Sequence, residues 1–182
     1  MSTINFETKL LKIGKCTILL LPQSASDLLP SRGMTMVEGT INGRANRQAD
    51  FPFQAPLEPD GRGSHWFRVK KMILEAIGVD EGDSVHLAIK LMKEWSEPDV
   101  PEDLMKALDL DQNAHALWKA ITPMARWDWI RWIRATKQAE TRKRRIVVAC
   151  SKLNKGMKRP CCFNRTLCTD PSVSHNGVLN ND

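Results

Sequence analysis

The sequence predicts an α+β chain, a small N-terminal β-barrel followed by a C-terminal helical module. Three observations carry that expectation. Residues 4–91 consist of short apolar or alternating runs separated by turn residues. Glu97-Pro98-Asp99-Val100-Pro101 then interrupts the chain, and beyond it apolar residues recur at helical spacing. Finally, 42% of the 182 residues are hydrophobic and six are Trp, enough for a packed core. The implied divisions are a barrel over residues 1–95, a helical module over 96–156 and a flexible, cysteine-containing tail over 157–182.

The barrel half reads as follows. Residues 4–12 and 16–21 are strand-like, with Gly14-Lys15 as the turn between them, and Pro22 ends the second strand because it cannot donate to a ladder. Ser26-Asp27-Leu28-Leu29 suits a short helical turn. Residues 34–41 form a third strand, Asn42-Gly43 supplies a hairpin turn, and Arg44 to Phe53 returns. Pro59-Asp60-Gly61-Arg62-Gly63 is another turn, before a strand over His65-Trp66-Phe67-Arg68-Val69. Ile73, Leu74 and Ile77 have helical spacing within Lys70 to Ile77, and Gly78 suits the C-terminal cap. Asp80-Glu81-Gly82-Asp83 turns into a last strand, Ser84 to Leu91.

In the helical half, Asp99 and Pro101 suit the start of a first helix carrying Leu104, Ala107 and Leu108. Asn113 could cap a second, with Ala114, Leu117, Trp118 and Ile121 on one side. Thr122-Pro123 starts a third with a capping hydroxyl and Pro at the first helical position. At ~100° per residue, Trp129, Trp132, Ile133 and Thr136 share a core face, while Trp127, Arg131, Arg134 and Gln138 fall opposite. Glu140 lies four residues before Arg144, the favoured ion-pair order, and suits a structural junction between helices. Ile146, Val147, Cys150 and Leu153 continue an apolar surface.

Charge is segregated along this chain. Residues 126–159 carry twelve Lys/Arg and two acids, whereas the chain as a whole carries +6. Residues 97–111 hold six acids and one Lys. Two readings compete: intramolecular docking of the acidic and basic stretches, or a contact surface formed by Trp127, Arg131, Arg134 and Arg142 that faces an anionic partner such as nucleic acid.

Catalytic chemistry has little support. His65, His86, His115 and His175 are scattered, and Asp60-Gly61-Arg62-Gly63 lacks the spacing and Lys-Ser/Thr of a phosphate loop. Cys161, Cys162 and Cys168 are spaced poorly for zinc, although Lys158 and Arg159 could activate a thiol. Neither a cofactor nor a metal is expected. The longest apolar run, Cys16 to Leu21, is far short of a membrane span, and the odd cysteine count argues against a disulfide framework, so a cytoplasmic protein is expected.

Residues Ile73 to Leu91, a short helix, a Glu-Gly-Asp turn and an alternating strand, resemble the swapped-hairpin barrels of AbrB/MazE-type transcription regulators. Val37-Glu38-Gly39-Thr40-Ile41-Asn42-Gly43 resembles a bacterial domain of unknown function. Val100-Pro101-Glu102-Asp103-Leu104, Trp132-Ile133, Lys137, Glu140-Thr141-Arg142 and Arg145-Ile146 resemble the YdeI/OmpD-associated family, named for bacteriocin protection. That resemblance implies a bacterial cytosolic protein and brings no established reaction. The expected function is therefore a non-enzymatic binding or accessory protein with an unidentified protein or small-ligand partner. A nucleic-acid-binding regulator is the alternative.

Overall fold

Period-two alternation of apolar residues builds six strands, and their inward side chains fill the interior of a closed barrel. The computed structural model describes residues 2–43, 50–161, 164 and 167–180. The chain divides into two units, Met1–Glu94 with Gly177–Asp182, and Trp95–Asn176.

In the first unit the strands are β1 (Ile4–Ile13), β2 (Cys16–Leu20), β3 (Thr35–Gly43), β4 (Phe51–Pro59), β5 (His65–Arg68) and β6 (Ser84–Leu91). They close in the order β1-β2-β5-β4-β3-β6, every pair antiparallel. Leu10, Leu19, Val37, Ile41, Leu57, Phe67, Val85 and Ile89 point inward and are buried. Phe53 stacks on Phe67 with ring centroids 5.3 Å apart. Helix α1 (Gln23–Ser26) lies one turn earlier than the expected Ser26–Leu29, because Pro22 starts a helix as readily as it ends a strand. Helix α2 (Lys71–Ile77) ends at Gly78, whose φ of 64° is the left-handed cap expected there.

Asn42-Gly43 does not form the expected turn. Both residues lie inside β3, opposite His86 and Val85 of β6, so tertiary pairing overrides local turn chemistry. Residues 44–49, where the start of the return strand was expected, lie outside the described residues. The observed return strand, β4, runs on past Pro52 and Pro56 to Pro59. These two prolines fit because β4 pairs with β5 only at Glu58 and Pro59, which leaves no ladder N–H required at 52 and 56 on that side.

The second unit contains α3 (Glu102–Leu110), α4 (Gln112–Ala120), α5 (Pro123–Arg134) and α6 (Ala139–Asn154). Thr122 caps α5 as expected, its hydroxyl accepting from the Ala125 N–H at 3.3 Å, with Pro123 at the first helical position. The cap of α4 is Asp111 rather than Asn113: its carboxylate accepts from the Ala114 N–H at 3.0 Å. At α3, Pro101 occupies the cap position without a side-chain bond, so Asp99 does not serve there. Leu104, Leu108, Trp118, Trp129, Ile133, Ile146 and Leu153 form the core, with Trp132 edge-on to Trp129 at 5.9 Å. Val147, expected in this apolar surface, is 68% exposed. Beyond Gly156 the Lys158 carbonyl accepts the Trp129 indole N–H at 3.0 Å, and Val173 is buried.

Candidate functional site

The arginines of the basic segment are spent mainly on holding the helical unit together. Arg126 donates to the Trp118, Lys119 and Ile121 carbonyls at 2.9, 2.8 and 2.9 Å, closing the C-terminus of α4, and also to Glu97. Arg145 does the same for α5, donating to the Trp132 and Ala135 carbonyls at 2.6 and 3.0 Å while its guanidinium lies 5.3 Å from the Trp132 ring. Helix C-termini present unsatisfied carbonyls and partial negative charge, so cations here serve both needs.

The four residues expected to form a contact surface differ in exposure. Arg131 is 1% exposed, and Asp128, Trp129, Ile130 and Ile133 are buried with it, so α5 is enclosed around more than one face. Trp127 is half-buried and donates its indole N–H to the Ser96 carbonyl at 2.9 Å. Arg134 is also half-buried. Arg142 grips Asp103 with bonds of 2.6 and 2.9 Å, and this pairing holds the Asp103 carboxyl below the usual carboxylate range. In place of the expected Glu140–Arg144 junction, Glu140 in the first turn of α6 pairs with Lys143 at 2.9 Å, since an exposed Glu meets the i+3 residue equally well. Lys152 donates to the Cys161 sulfur at 2.9 Å, and Cys168 is a free thiol; Cys162 lies outside the described residues.

Among the described residues, one Ser–His hydrogen bond is found. The Ser26 hydroxyl is 2.7 Å from His65 Nδ1, and His65 Nε2 is 3.0 Å from the Gly33 carbonyl. The carbonyl can only accept, so Nε2 carries the proton and Nδ1 accepts from Ser26. Burial pushes the His65 pKa down, which keeps the ring neutral. Both residues are fully buried, so the pair braces the barrel and offers no nucleophile to a substrate.

The barrel's outer face offers a better site. Strand register places Pro52, Thr40, Ala88 and Asn5 side by side across β4, β3, β6 and β1. These side chains make a low floor between two taller polar rows, Gln54–Glu38–Lys90 and Asn42–His86–Glu7. At the β4 end, Phe51, Phe53, Met72 and Ile73 add an apolar wall and Lys70 a cation, enclosing about 800 Å³. A second hollow of about 410 Å³ continues from Thr40 and Ala88 towards Glu7, His86 and Asp50. His86 Nε2 lies 3.6 Å from Glu7, and Asn42 Nδ2 donates to Asp50 at 2.6 Å. Gly39 makes the geometry possible: a Cβ there would lie 2.2 Å from the Ala88 carbonyl oxygen, so only glycine lets β3 approach β6 this closely.

This groove can hold an apolar body against Phe51 and Met72 while Glu38, Gln54 and Lys90 orient its polar groups. No metal-binding cluster occurs among the described residues. The sequence concealed the groove because its floor is a property of register, and small residues on four separate strands have no signature along the chain. Exposed Met72, one residue from a core position, was the only local hint.

The fold is a closed β-barrel followed in sequence by a module in which the described residues form four helices. Residues 6–89 match the domain of unknown function DUF1905, and residues 97–156 match the family described as bacteriocin-protection, YdeI or OmpD-associated. The chain thus joins these two types of region, as its resemblance indicated. Among curated proteins, none matches it. Neither family description names a reaction. No helix among the described residues is long and apolar enough to cross a membrane.

Proposed function

We propose that the chain is a non-enzymatic binding or accessory protein of the bacterial cytosol, acting in bacteriocin or stress protection, with its ligand seated in the barrel groove. The observation that carries this reading is the groove itself, about 800 Å³ with an apolar wall and converging polar side chains. The family description of residues 97–156 supports the protective role.

The test uses a bacterial strain whose survival of a bacteriocin challenge depends on this chain. Wild type restores survival, and Met72→Glu, which places a carboxylate against the apolar wall, does not. Met72 is 62% exposed, so the change costs about 0.5 kcal/mol of stability or less, and an unaltered melting temperature separates lost binding from lost folding. Full rescue by Met72→Glu removes the groove from the mechanism. A turnover activity in the purified protein, abolished by one substitution, removes the non-enzymatic reading.

A further inference from the structure

The two hollows on the barrel's outer face share the floor residues Thr40 and Ala88, so one molecule can occupy both. Their surroundings differ. The larger is walled by Phe51, Met72 and Ile73, and both lysines of the groove belong to it. Lys90 stands opposite Glu38 in the β3–β6 register, a cross-strand arrangement in which unlike charges offset one another. Lys70 stands beside the apolar wall.

The smaller hollow is acidic. Glu7, Asp50, His86 and Asn42 line it, and no Lys or Arg does so among the described residues. Glu7 lies 3.6 Å from His86 Nε2, and Asp50 accepts from the Asn42 amide at 2.6 Å. A carboxylate of this kind only accepts, which fixes Asn42 with its Nδ2 towards Asp50. Asn42 Oδ1 is thereby left buried with no donor. A buried carbonyl oxygen in that state calls for an N–H or O–H from outside the protein. Glu7, Asp50 and His86 form no metal-binding cluster, so the cation that suits them is organic. Asp50 adjoins Phe51 in the chain, which sets the acidic hollow next to the apolar wall.

Resting on the groove as the binding site, we propose that its ligand is a cationic amphiphile, an organic amine with an apolar body. The ammonium group donates to Asp50 and to Asn42 Oδ1, with Glu7 adding to the negative field, and the apolar body lies against Phe51 and Met72. The lysines fix the orientation, because the reverse pose would bring the ammonium against Lys70. Apolar contact supplies affinity here, and the few placed polar groups supply the choice of ligand.

The full-length chain is titrated with 4-phenylbutylamine, 4-phenylbutyrate and 4-phenylbutanol, which carry one apolar body with a positive, a negative and no charge, while backbone amide shifts are followed. The amine is expected to shift Thr40, Asn42, Phe51 and Met72, and to bind about tenfold or more tightly than the acid. Its binding should weaken as salt screens the carboxylates. Asp50→Asn keeps an acceptor for the Asn42 amide; it should cut amine affinity about tenfold and leave that of the alcohol unchanged. Glu7→Gln, acting through the field alone, should cost less. Both positions are exposed, so an unchanged melting temperature is the fold control. Binding of the acid and the alcohol as tight as that of the amine overturns the cationic ligand and leaves the groove standing as a binding site. No shift at these residues with any of the three probes removes the groove itself, and the proposal with it.

Discussion

Single residues hold this fold through polar contacts that local pattern does not reveal. His65 looked like one of several scattered histidines; in the barrel it is buried between the Ser26 hydroxyl and the Gly33 carbonyl. Its folded pKa lies below the unfolded value, so the unfolded chain takes up a proton first as pH falls. The stability tied to the neutral ring is complete above about pH 6.5 and is lost as pH falls from there through the folded pKa. A melting curve at each pH should show this loss, and His65→Gln should remove that pH dependence at a cost on the order of 2 kcal/mol. A pH dependence unchanged in His65→Gln would show that another group is responsible. Arg145 shows the same concealment: its family-motif position said nothing of the Trp132 and Ala135 carbonyls it caps. Arg145→Met should lower stability by about 2 kcal/mol in denaturant titration, since two carbonyls lose a charged donor. Arg145→Lys should recover only part of it, because an ammonium lacks the fixed fork of donors that meets both carbonyls from beside the Trp132 ring.

At the scale of elements, what was legible was what short-range chemistry decides. Thr122-Pro123 starts α5 because the cap needs only residues within one turn, and Gly78 ends α2 for the same reason. Thr122→Ala should therefore cost roughly 0.5–1 kcal/mol, the lower part of the capping range, given a bond of 3.3 Å. What failed was decided by neighbours distant in sequence. Asn42-Gly43 has turn chemistry but is drawn into β3 by β6, and two prolines survive in β4 because β5 is short. The groove belongs to this second class, since its floor exists only once four strands are in register. Gly39 is the element-scale test of that register. Gly39→Ala drives a Cβ into the Ala88 carbonyl, a backbone atom that cannot swing aside, and should cost on the order of 3 kcal/mol. A Gly39→Ala protein that melts with wild type would mean that β3 and β6 are not this close.

For the chain as a whole, the segregation of charge along the sequence posed one question with two answers. An exposed cationic surface would bind phosphates, while an internal use of the arginines would stabilise the helical unit. Arg126 with Glu97 and Arg142 with Asp103 join the basic stretch to the acidic residues 97–111, and Arg126 and Arg145 also close helix C-termini. The sequence made both charge clusters visible but could not say which arginines face inward, and Arg131, read as exposed, is buried. The two answers separate in one pair of measurements on Arg126→Gln and Arg142→Gln. If the arginines work internally, stability falls. For Arg126 the loss should be about 3 kcal/mol, because its largely buried guanidinium serves three carbonyls and a carboxylate. For Arg142, at a more exposed pair, it should be nearer 1 kcal/mol. Affinity for duplex DNA should not depend on either residue. If Arg142 instead contacts phosphate, its loss flattens the dependence of log K on log salt by about 0.9. The structure predicts the first pattern, since a guanidinium already holding both oxygens of Asp103 must break that pair before it can meet a phosphate.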